Sequence, residues 1–385
     1  MTVMDQPVKT KSPLQTESDT ASPLDKFYFW EEQQPNKVYL SQPFGDGNIV
    51  NYRWSRVSNE VRRIACYLRA LQMPPGSRVA ILSKNCAHWM MADLAIWLAG
   101  HVSVPIYPNL AAETVNQILT HSEARVLFVG KLDAWESMSA GVPDAVHCIA
   151  FPLSPPTAYT RWEDIVATTP AFMGKPRVDL DDLATIIYTS GTTGMPKGVM
   201  HSFRSIAAAA NKASKVYDIS SQDRVLSYLP LAHVAERMLV EIASIYNAFT
   251  VYFAESLDTF AQDLQRARPT IFFSVPRLWS KFYQKVNEKM PAKRLDLLLK
   301  IPFVSGYIKR KIRKTLGLDK ARFLVSGAAP LSPALIEWYK KLGMEILEVY
   351  GMTENMGYSH ATRVGDVRIG YVGKANPDVQ VRISE

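Results

Sequence analysis

The sequence contains only three cysteines among its 385 residues, Cys66, Cys86 and Cys148. They are odd in number and far apart, without the paired spacing that is typical of a disulfide framework or a zinc site. A disulfide-stapled secreted protein and a cysteine-based metal site are therefore excluded. A reducing compartment such as the cytoplasm is the expected location.

The sequence also lacks an apolar run long enough to cross a membrane. Its longest apolar stretch, residues 89–107, contains Asp93 and His101 and is interrupted by Gly100, which favours a buried helix followed by a strand. The first 23 residues have no apolar segment and are rich in Thr, Ser, Pro, Gln and Asp, so we interpret them as a mobile tail. No transmembrane segment is predicted.

Acidic residues are scarce in one part of the chain. The whole sequence has 44 Lys and Arg against 36 Asp and Glu, but residues 266–322 hold 16 Lys and Arg and only three acids. Within this segment, residues 293–314 interleave apolar and cationic side chains, which predicts peripheral contact with an anionic membrane surface. The phosphates of coenzyme A and an ordinary solvated face remain alternatives. Nucleic acid is not an expected partner, because the rest of the chain is acidic.

Strand and helix patterns alternate along most of the sequence. Short apolar strands are predicted at 78–82, 102–106 and 125–129, separated by helical patterns at 87–99 and 112–122. After a proline-containing stretch at 151–176 the alternation resumes. Further strands are predicted at 183–188, 224–228, 250–253, 270–274 and 323–326, and further helices at 27–35, 57–71, 205–216, 234–246, 278–288 and 333–342. The alternation predicts the α/β class, with parallel sheet covered by helices on both faces.

The most informative segment is residues 186–202, IIYTSGTTGMPKGVMHS, in which four hydroxyls, three glycines and a lysine fall within ten residues. Glycines let backbone N–H groups converge on an anion, hydroxyls add donors, and Lys197 supplies positive charge to phosphate oxygens. The segment is not the P-loop of the large NTPase class, because Pro196 replaces a required glycine and no Ser or Thr follows Lys197. The predicted phosphate-binding residues are Thr189, Ser190, Gly191, Thr192, Thr193 and Gly194.

Residues 190–198 resemble the phosphate-loop signature of the adenylate-forming superfamily, which includes acyl-CoA synthetases, peptide-synthetase adenylation domains and beetle luciferases. Residues 228–233 (YLPLAH), 326–331 (SGAAPL) and 350–354 (YGMTE) resemble further motifs of that superfamily, in the same order. The resemblance covers nearly the whole chain after the tail. It implies the superfamily's N-terminal domain fold: two doubly wound, mostly parallel sheets packed together with a smaller β-rich subdomain.

The resemblance also implies roles for individual residues. Tyr350 can stack on an adenine ring, Thr353 can donate to an α-phosphate oxygen, and Glu354 can hold Mg²⁺. His233 is implied to lie beside the acyl substrate, although a purely structural histidine is the alternative. The implied catalytic residues are Lys197, Thr353, Glu354 and His233, with Glu354 as the metal ligand. The other implied nucleotide contacts are Gly327, Ala328, Ala329, Tyr350, Gly351, Met352 and Thr353.

The implied reaction has two halves. A carboxylate and ATP give an acyl-adenylate and pyrophosphate, and a thiol, usually that of coenzyme A, then takes the acyl group. Residues 229–237 and 275–279 (VPRLW) look most like long-chain fatty acyl-CoA synthetases. An adenylation domain for another acid or a carrier protein, and a non-catalytic module that binds nucleotide and acyl chain, remain alternatives. Oligomer formation is left open.

Members of the superfamily continue beyond the segment that 373–377 resembles, to a ribose-binding aspartate, a hinge and a small C-terminal domain with a second catalytic lysine. No counterpart is found, so we expect the C-terminal catalytic domain to be absent. The expected organisation is a tail at 1–25, a first α/β subdomain at 26–175, and a second at 176–385 with the nucleotide site. Binding of ATP and acid should largely survive, adenylation should be severely impaired, and thioester formation should be nearly lost.

Overall fold

Strands and helices alternate along residues 21–189 and 195–383, which the computed structural model describes. The strands are β1 (Val38–Pro43), β2 (Ile49–Arg53), β3 (Arg78–Leu82), β4 (Val102–Ile106), β5 (Ala124–Val129), β6 (His147–Ala150), β7 (Thr160–Arg161), β8 (Leu183–Thr189), β9 (Lys197–Ser202), β10 (Arg224–Ser227), β11 (Thr250–Phe253), β12 (Ile271–Ser274), β13 (Phe323–Ser326), β14 (Ile346–Tyr350), β15 (His360–Ala361) and β16 (Lys374–Ala375). The helices are α1 (Pro23–Gln33), α2 (Trp54–Ala70), α3 (Ala87–Leu98), α4 (Ala112–Ser122), α5 (Trp135–Met138), α6 (Trp162–Thr168), α7 (Phe203–Val216), α8 (Val234–Glu236), α9 (Ala243–Asn247), α10 (Phe260–Ala267), α11 (Pro276–Lys289), α12 (Ala292–Lys300), α13 (Val304–Thr315) and α14 (Pro333–Lys341). A π-helical turn, Arg237–Ile242, joins α8 to α9.

The largest sheet has seven strands in the order β7-β6-β5-β3-β4-β8-β9, and every neighbouring pair is parallel except β8 and β9. All five residues of β4 are buried, as are all twelve of α3, which packs on one face of the sheet. Helix α4 packs on the other face. A strand buried on both sides has no exposed face, which is why the sequence shows continuous apolar runs here instead of alternation.

Two smaller sheets follow, with strand orders β10-β11-β1-β2 and β12-β13-β14-β15-β16. Strands β10, β11 and β1 are mutually parallel, as are β12, β13 and β14. The two sheets adjoin where the Thr270 N–H donates to the Arg224 carbonyl oxygen over 2.9 Å and the Arg224 N–H donates to Thr270 Oγ1 over 2.9 Å. The parallel strands outside the seven-stranded sheet are therefore divided between two adjoining sheets. The α/β class predicted from the sequence is confirmed.

The expected division of the chain at residues 175 and 176 does not coincide with a sheet boundary. Strand β8 pairs with β4, so β8 and β9 complete the sheet that the preceding residues build. The expected tail also ends earlier than residue 25. Ser22 Oγ accepts from the Asp25 N–H over 3.2 Å and the Asp25 carboxylate accepts from the Ser22 N–H over 2.8 Å, which forms a capping box that starts α1 at Pro23. The remainder of the predicted tail, residues 1–20, lies outside the described residues.

A buried ion pair connects α3 to the π-helical turn. Arg237 Nη2 lies 2.5 Å from Asp93 Oδ2, both side chains are fully buried, and the guanidinium carbon lies 5.3 Å from the centroid of the Trp89 ring. Glu241 Oε2 lies 3.6 Å from Arg237 Nε. Burial, reinforced by the nearby Asp93 carboxylate, raises the pKa of Glu241 well above its usual range. Burial and the neighbouring carboxylate thus both favour the protonated form of Glu241 in this cluster.

None of the helices described in residues 21–189 and 195–383 is both long and apolar enough to span a bilayer.

Candidate active site

Strands β8 and β9 form an antiparallel hairpin that holds the ends of the predicted phosphate loop. Thr189 is paired with Lys197, and Thr189 Oγ1 donates to the Lys197 carbonyl oxygen over 3.5 Å. Lys197 is exposed. The other predicted loop residues lie outside the described part of the chain: Ser190, Gly191, Thr192, Thr193 and Gly194. The structure therefore pairs Thr189 with Lys197 at the base of the loop.

The segments SGAAPL and YGMTE follow β13 and β14, which are parallel neighbours, so both leave the sheet at the same edge. A Cβ added to Gly327 would lie 2.8 Å from Val349 Cγ2, and one added to Gly351 would lie 2.4 Å from the Gly357 carbonyl oxygen. Ala328 has φ 66°, a left-handed conformation that is uncommon for a residue other than glycine and is often found at functional sites. These turns leave no space for side chains at the two glycines.

Glu348, which the sequence analysis missed, links the two turns. Its Oε1 accepts from the Leu331 N–H over 3.3 Å, so the end of SGAAPL is attached to the strand that carries YGMTE. Burial raises the pKa of the Glu348 carboxyl above its usual value. No local sequence pattern indicates this role, because Glu348 lies on β14 whereas Leu331 lies in the turn that follows β13.

Tyr350 and Met352 project from the YGMTE turn, with 45% and 47% of their surface exposed. The Tyr350 ring contacts the His360 ring edge-to-face, with centroids 5.9 Å apart. An aromatic ring held by one neighbour and otherwise accessible can stack on the face of a flat heterocycle. This geometry suits the adenine contact implied by the sequence.

His201, a second residue missed in the sequence, joins the loop hairpin to the YGMTE turn. Its Nε2 lies 2.8 Å from the Thr353 carbonyl oxygen and its Nδ1 lies 3.4 Å from Ser205 Oγ. A carbonyl oxygen only accepts, so Nε2 must carry the hydrogen. Burial lowers the pKa of His201, which keeps the ring neutral at pH 7. The loop from the seven-stranded sheet and the turn from the five-stranded sheet are thereby brought together.

Glu354 lies exposed in the 3₁₀ turn Thr353–Asn355. Within the described residues, no group of three or more Asp, Glu, His or Cys side chains could hold a metal ion. Mg²⁺ is usually bound through one or two carboxylates together with substrate phosphates and water. A single accessible carboxylate therefore fits an ion that arrives with a nucleotide triphosphate, and Glu354 is the residue that would hold it.

The YLPLAH segment leaves β10 and is held by two buried polar side chains. Glu236 Oε1 accepts from Ser227 Oγ over 2.9 Å and from the Tyr228 N–H over 2.9 Å. Asn85 Oδ1 accepts from the Leu231 N–H over 3.1 Å, and Asn85 Nδ2 donates to Glu236 Oε1 over 3.2 Å. Burial raises the pKa of Glu236 to about 8, although its hydrogen bonds act in the opposite direction.

His233 ends this segment and caps α8. Its Nδ1 accepts from the Ala235 N–H over 3.1 Å, so the hydrogen of the neutral ring lies on Nε2. Burial lowers the pKa of His233, in agreement with a neutral ring. The structural role that the sequence left open is thus present, and Nε2 is the atom that remains for a ligand. Among residues 21–189 and 195–383, His233 forms no hydrogen bond to the three nucleotide motifs.

A hairpin that holds the ends of a glycine-rich loop, two tight glycine turns at the carboxyl ends of parallel strands and an accessible carboxylate are typical of a nucleotide-binding protein of the α/β class. Over residues 27–385 the chain matches the family described as AMP-binding enzyme. The protein belongs to this family, and the resemblance to the adenylate-forming superfamily seen in the sequence is confirmed.

Several curated relatives are named as long-chain acyl-CoA ligases or synthetases. The chain is 31% identical over 390 residues to the long-chain-fatty-acid–CoA ligase FadD15 of Mycobacterium bovis, covering 92% of this chain and 64% of the relative. It is 30% identical over 376 residues to the peroxisomal long chain acyl-CoA synthetase 6 of Arabidopsis thaliana, covering 88% of this chain and 53% of the relative. The chain thus spans less than two thirds of the length of these relatives.

Solved structures show the same fold. The anthranilate CoA ligase AuaEII in complex with anthranoyl-AMP has a TM-score of 0.76 and 23% identity, covering 93% of this chain and 65% of the ligase. The inhibitor-bound N-terminal domain of FACL13 from Mycobacterium tuberculosis has a TM-score of 0.72 and 24% identity, covering 92% of this chain and 82% of that domain. The expected fold of an adenylate-forming N-terminal domain is confirmed.

Proposed function

We propose that the protein activates a long-chain fatty acid with ATP through an acyl-adenylate, for transfer to coenzyme A. The observation that carries the proposal is the 2.8 Å contact between His201 and Thr353, because it joins the phosphate-loop hairpin to the YGMTE turn. The choice of a fatty acid rests on the named relatives, which are about 30% identical. The choice of coenzyme A as the thiol acceptor rests on the same relatives.

The first half of the reaction brings two negative groups together. A carboxylate oxygen forms a bond to the α-phosphorus while the bond from that phosphorus to pyrophosphate breaks. Lys197 supplies positive charge to the phosphate oxygens, and the Thr353 hydroxyl donates to the α-phosphate. Mg²⁺, held by Glu354 and the phosphates, would offset the repulsion and stabilise the leaving pyrophosphate.

His233 has the chemistry needed beside the acid. Its neutral ring carries the hydrogen on Nε2, because Nδ1 is occupied by the Ala235 N–H. An N–H at that position donates to a carboxylate oxygen without removing its negative charge, so the acid is oriented and stays nucleophilic. The buried Glu236 and Asn85 fix the segment that carries the ring.

A long-chain acid is sparingly soluble and concentrates in lipid bilayers, so we further propose a cytoplasmic protein that works at a membrane surface. Activated acid would then pass to coenzyme A, a soluble thiol. Transfer of the acyl group to the thiol of a carrier protein is the alternative to transfer to coenzyme A.

Exchange of labelled pyrophosphate into ATP tests the activity. We expect exchange, even if slow, that requires palmitate and is lost in Lys197→Ala and Glu354→Ala. Lys320→Ala is the matched control, because Lys320 is also an exposed lysine but lies outside the four motifs. Exchange that requires an aryl acid instead would contradict the fatty-acid assignment, and ATP binding without exchange for any acid would favour a non-catalytic module.

A further inference from the structure

Helices α12 and α13 form a helical hairpin, here called the basic hairpin, with an apolar tip that projects into solvent. The link between the helices contains Ile301 and Phe303, of which 42% and 95% are exposed. Leu297 on α12 and Tyr307 on α13 flank the link, with 62% and 63% exposed. Single exposed apolar residues are common, but four within residues 297–307 form a patch that calls for a partner.

The backbone at the tip is also unusual. Phe303 has φ 64°, in the left-handed region that bulky residues rarely occupy. Phe303 precedes the first turn of α13, so this conformation sets where the ring leaves the chain. A residue held in a disfavoured conformation while its ring stays in water points to a role outside the folded core.

Cations lie along both helices of the basic hairpin. The basic hairpin has a single acid, Asp296, against eight cations: Lys293, Arg294, Lys300, Lys309, Arg310, Lys311, Arg313 and Lys314. Asp296 pairs with Lys341 of α14 over 3.1 Å, and none of the eight cations forms an ion pair within the described part of the chain. By contrast, Arg266, Arg268 and Arg322, near the ends of the basic segment, form ion pairs with Asp263, Asp319 and Asp223. The uncompensated charge therefore lies on the hairpin and the adjoining α11.

The inner side of the basic hairpin is anchored. Leu295, Ile308 and Ile312 are buried in the apolar cluster beside the five-stranded sheet, which also contains Trp279 and Trp338. The hairpin cannot bury its tip by folding inward without exposing these residues. Its apolar tip and cationic flanks are thus presented to solvent by a fixed scaffold.

We propose that the basic hairpin docks on the surface of a bilayer that contains anionic lipids, with Phe303 and its apolar neighbours inserted among the acyl chains. Interfacial helices combine apolar insertion with Lys and Arg that contact lipid phosphates. A soluble phosphate ligand or a nucleic acid would satisfy the cations but would leave Phe303 and Ile301 in water. This inference deepens the proposed function and rests on it, because docking on a bilayer would bring the protein to the membrane in which its fatty acid substrate is dissolved.

Co-sedimentation with vesicles tests the charge requirement. Vesicles of phosphatidylcholine with roughly one third phosphatidylserine should bind the full chain, and phosphatidylcholine alone should bind it weakly. The triple variant Lys300→Glu, Arg310→Glu and Lys311→Glu should lose binding by at least about 100-fold, since each lost cation near an anionic surface costs roughly fivefold and the introduced carboxylates add repulsion. The matched control, Arg53→Glu, Arg125→Glu and Arg177→Glu, makes the same change in net charge at exposed arginines elsewhere and should bind like the wild type. Equal loss in the control, or no loss in the hairpin variant, overturns the proposal.

A second variant tests insertion. Ile301→Ser with Phe303→Ser leaves the charge unchanged and alters only exposed side chains, so the melting temperature should be retained while vesicle binding falls at least tenfold. Unchanged binding would show that no side chain inserts, and tighter binding to a DNA duplex than to the anionic vesicles would favour nucleic acid; either result overturns the proposal. Pyrophosphate exchange with palmitate, measured without vesicles, separates the two proposals. Exchange without vesicle binding refutes the docking alone, and vesicle binding without exchange refutes the activity alone.

Discussion

The Nε2–H of His201 donates to the backbone carbonyl oxygen of Thr353 over 2.8 Å, across 152 positions of sequence. His201 is on β9 of the seven-stranded sheet, and Thr353 follows β14 of the five-stranded sheet. Because Lys197 lies at the start of β9 and Glu354 lies next to Thr353, this bond holds together the two backbone segments that carry the lysine and the glutamate. We therefore expect His201 to act as a positioning residue for the proposed phosphate site.

Replacement of His201 should affect nucleotide handling more than folding. In His201→Ala the Thr353 carbonyl oxygen loses its hydrogen-bond donor, which costs about 1–3 kcal/mol for a buried carbonyl. We therefore expect a roughly tenfold rise in KM for ATP in the exchange reaction. His201→Asn, which keeps a side-chain N–H, should recover part of the effect. A lower melting temperature with an unchanged KM for ATP would show that His201 is merely structural.

Gly351 tests the tight turn beside the adenine site. Its added Cβ would lie 2.4 Å from a backbone oxygen that cannot move independently, so Gly351→Ala should displace Tyr350 and Thr353 and weaken ATP binding at least tenfold. Gly306→Ala is the matched control, because nothing lies within 4 Å of the Cβ position in α13. The control should leave ATP affinity unchanged and stabilise the protein by about 0.5–1 kcal/mol. Titration calorimetry with ATP and thermal unfolding measure both.

The buried Arg237 should be required for folding. Arg237→Met leaves Asp93 charged and without a partner in the core, which should lower the free energy of unfolding by about 3–5 kcal/mol. Asp93→Asn in the same chain should restore most of that loss, because the uncompensated charge is removed. Arg204→Met, which breaks a pair with Asp181 on the surface, should barely change the melting temperature. A similar shift for both single variants would contradict the argument.

Glu236 should make stability depend on pH. Its pKa rises from 4.5 in the unfolded chain to about 8 in the fold, so between these values the folded protein holds a proton that the unfolded chain has released. Stability present below about pH 4.5 is therefore lost as the pH rises toward 8, by at most about 1.4 kcal/mol per pH unit. Glu236→Gln keeps the acceptor oxygen and cannot titrate. Denaturant unfolding at several pH values should show the wild type losing stability relative to this variant as pH increases, and parallel curves would refute the assignment.

Local sequence patterns predicted much of the fold, because many strands are short apolar runs whose first and last residues can be recognised in the sequence. The predicted strands at 78–82, 102–106, 250–253 and 323–326 match β3, β4, β11 and β13 residue for residue. Strand β9 was missed, since Gly198, the exposed Lys197 and the exposed Met200 give it no regular alternation. Helices α12 and α13 were not delimited either, because the tip places apolar residues in solvent.

The site was predictable only as far as its residues are contiguous. The phosphate loop and the YGMTE turn each occupy one segment, and their composition indicates phosphate and metal chemistry. His201, Glu348 and Glu236 act across sheets and strands, and their partners are set by tertiary packing. A buried histidine after a glycine-containing loop is a weak signal, but it could have marked His201 as a candidate.

The proposed activity requires that one site of the protein holds both a nucleotide and an acyl chain. Titration calorimetry with a palmitoyl sulfamoyl-adenosine, a stable analogue of the acyl-adenylate, measures this most directly. We predict that the analogue binds at least 100-fold more tightly than ATP or palmitate alone, because a single molecule makes the nucleotide and acyl contacts while losing its translational freedom only once. Gly351→Ala should remove most of this increase in affinity. An affinity no greater than that for palmitate alone would contradict the claim.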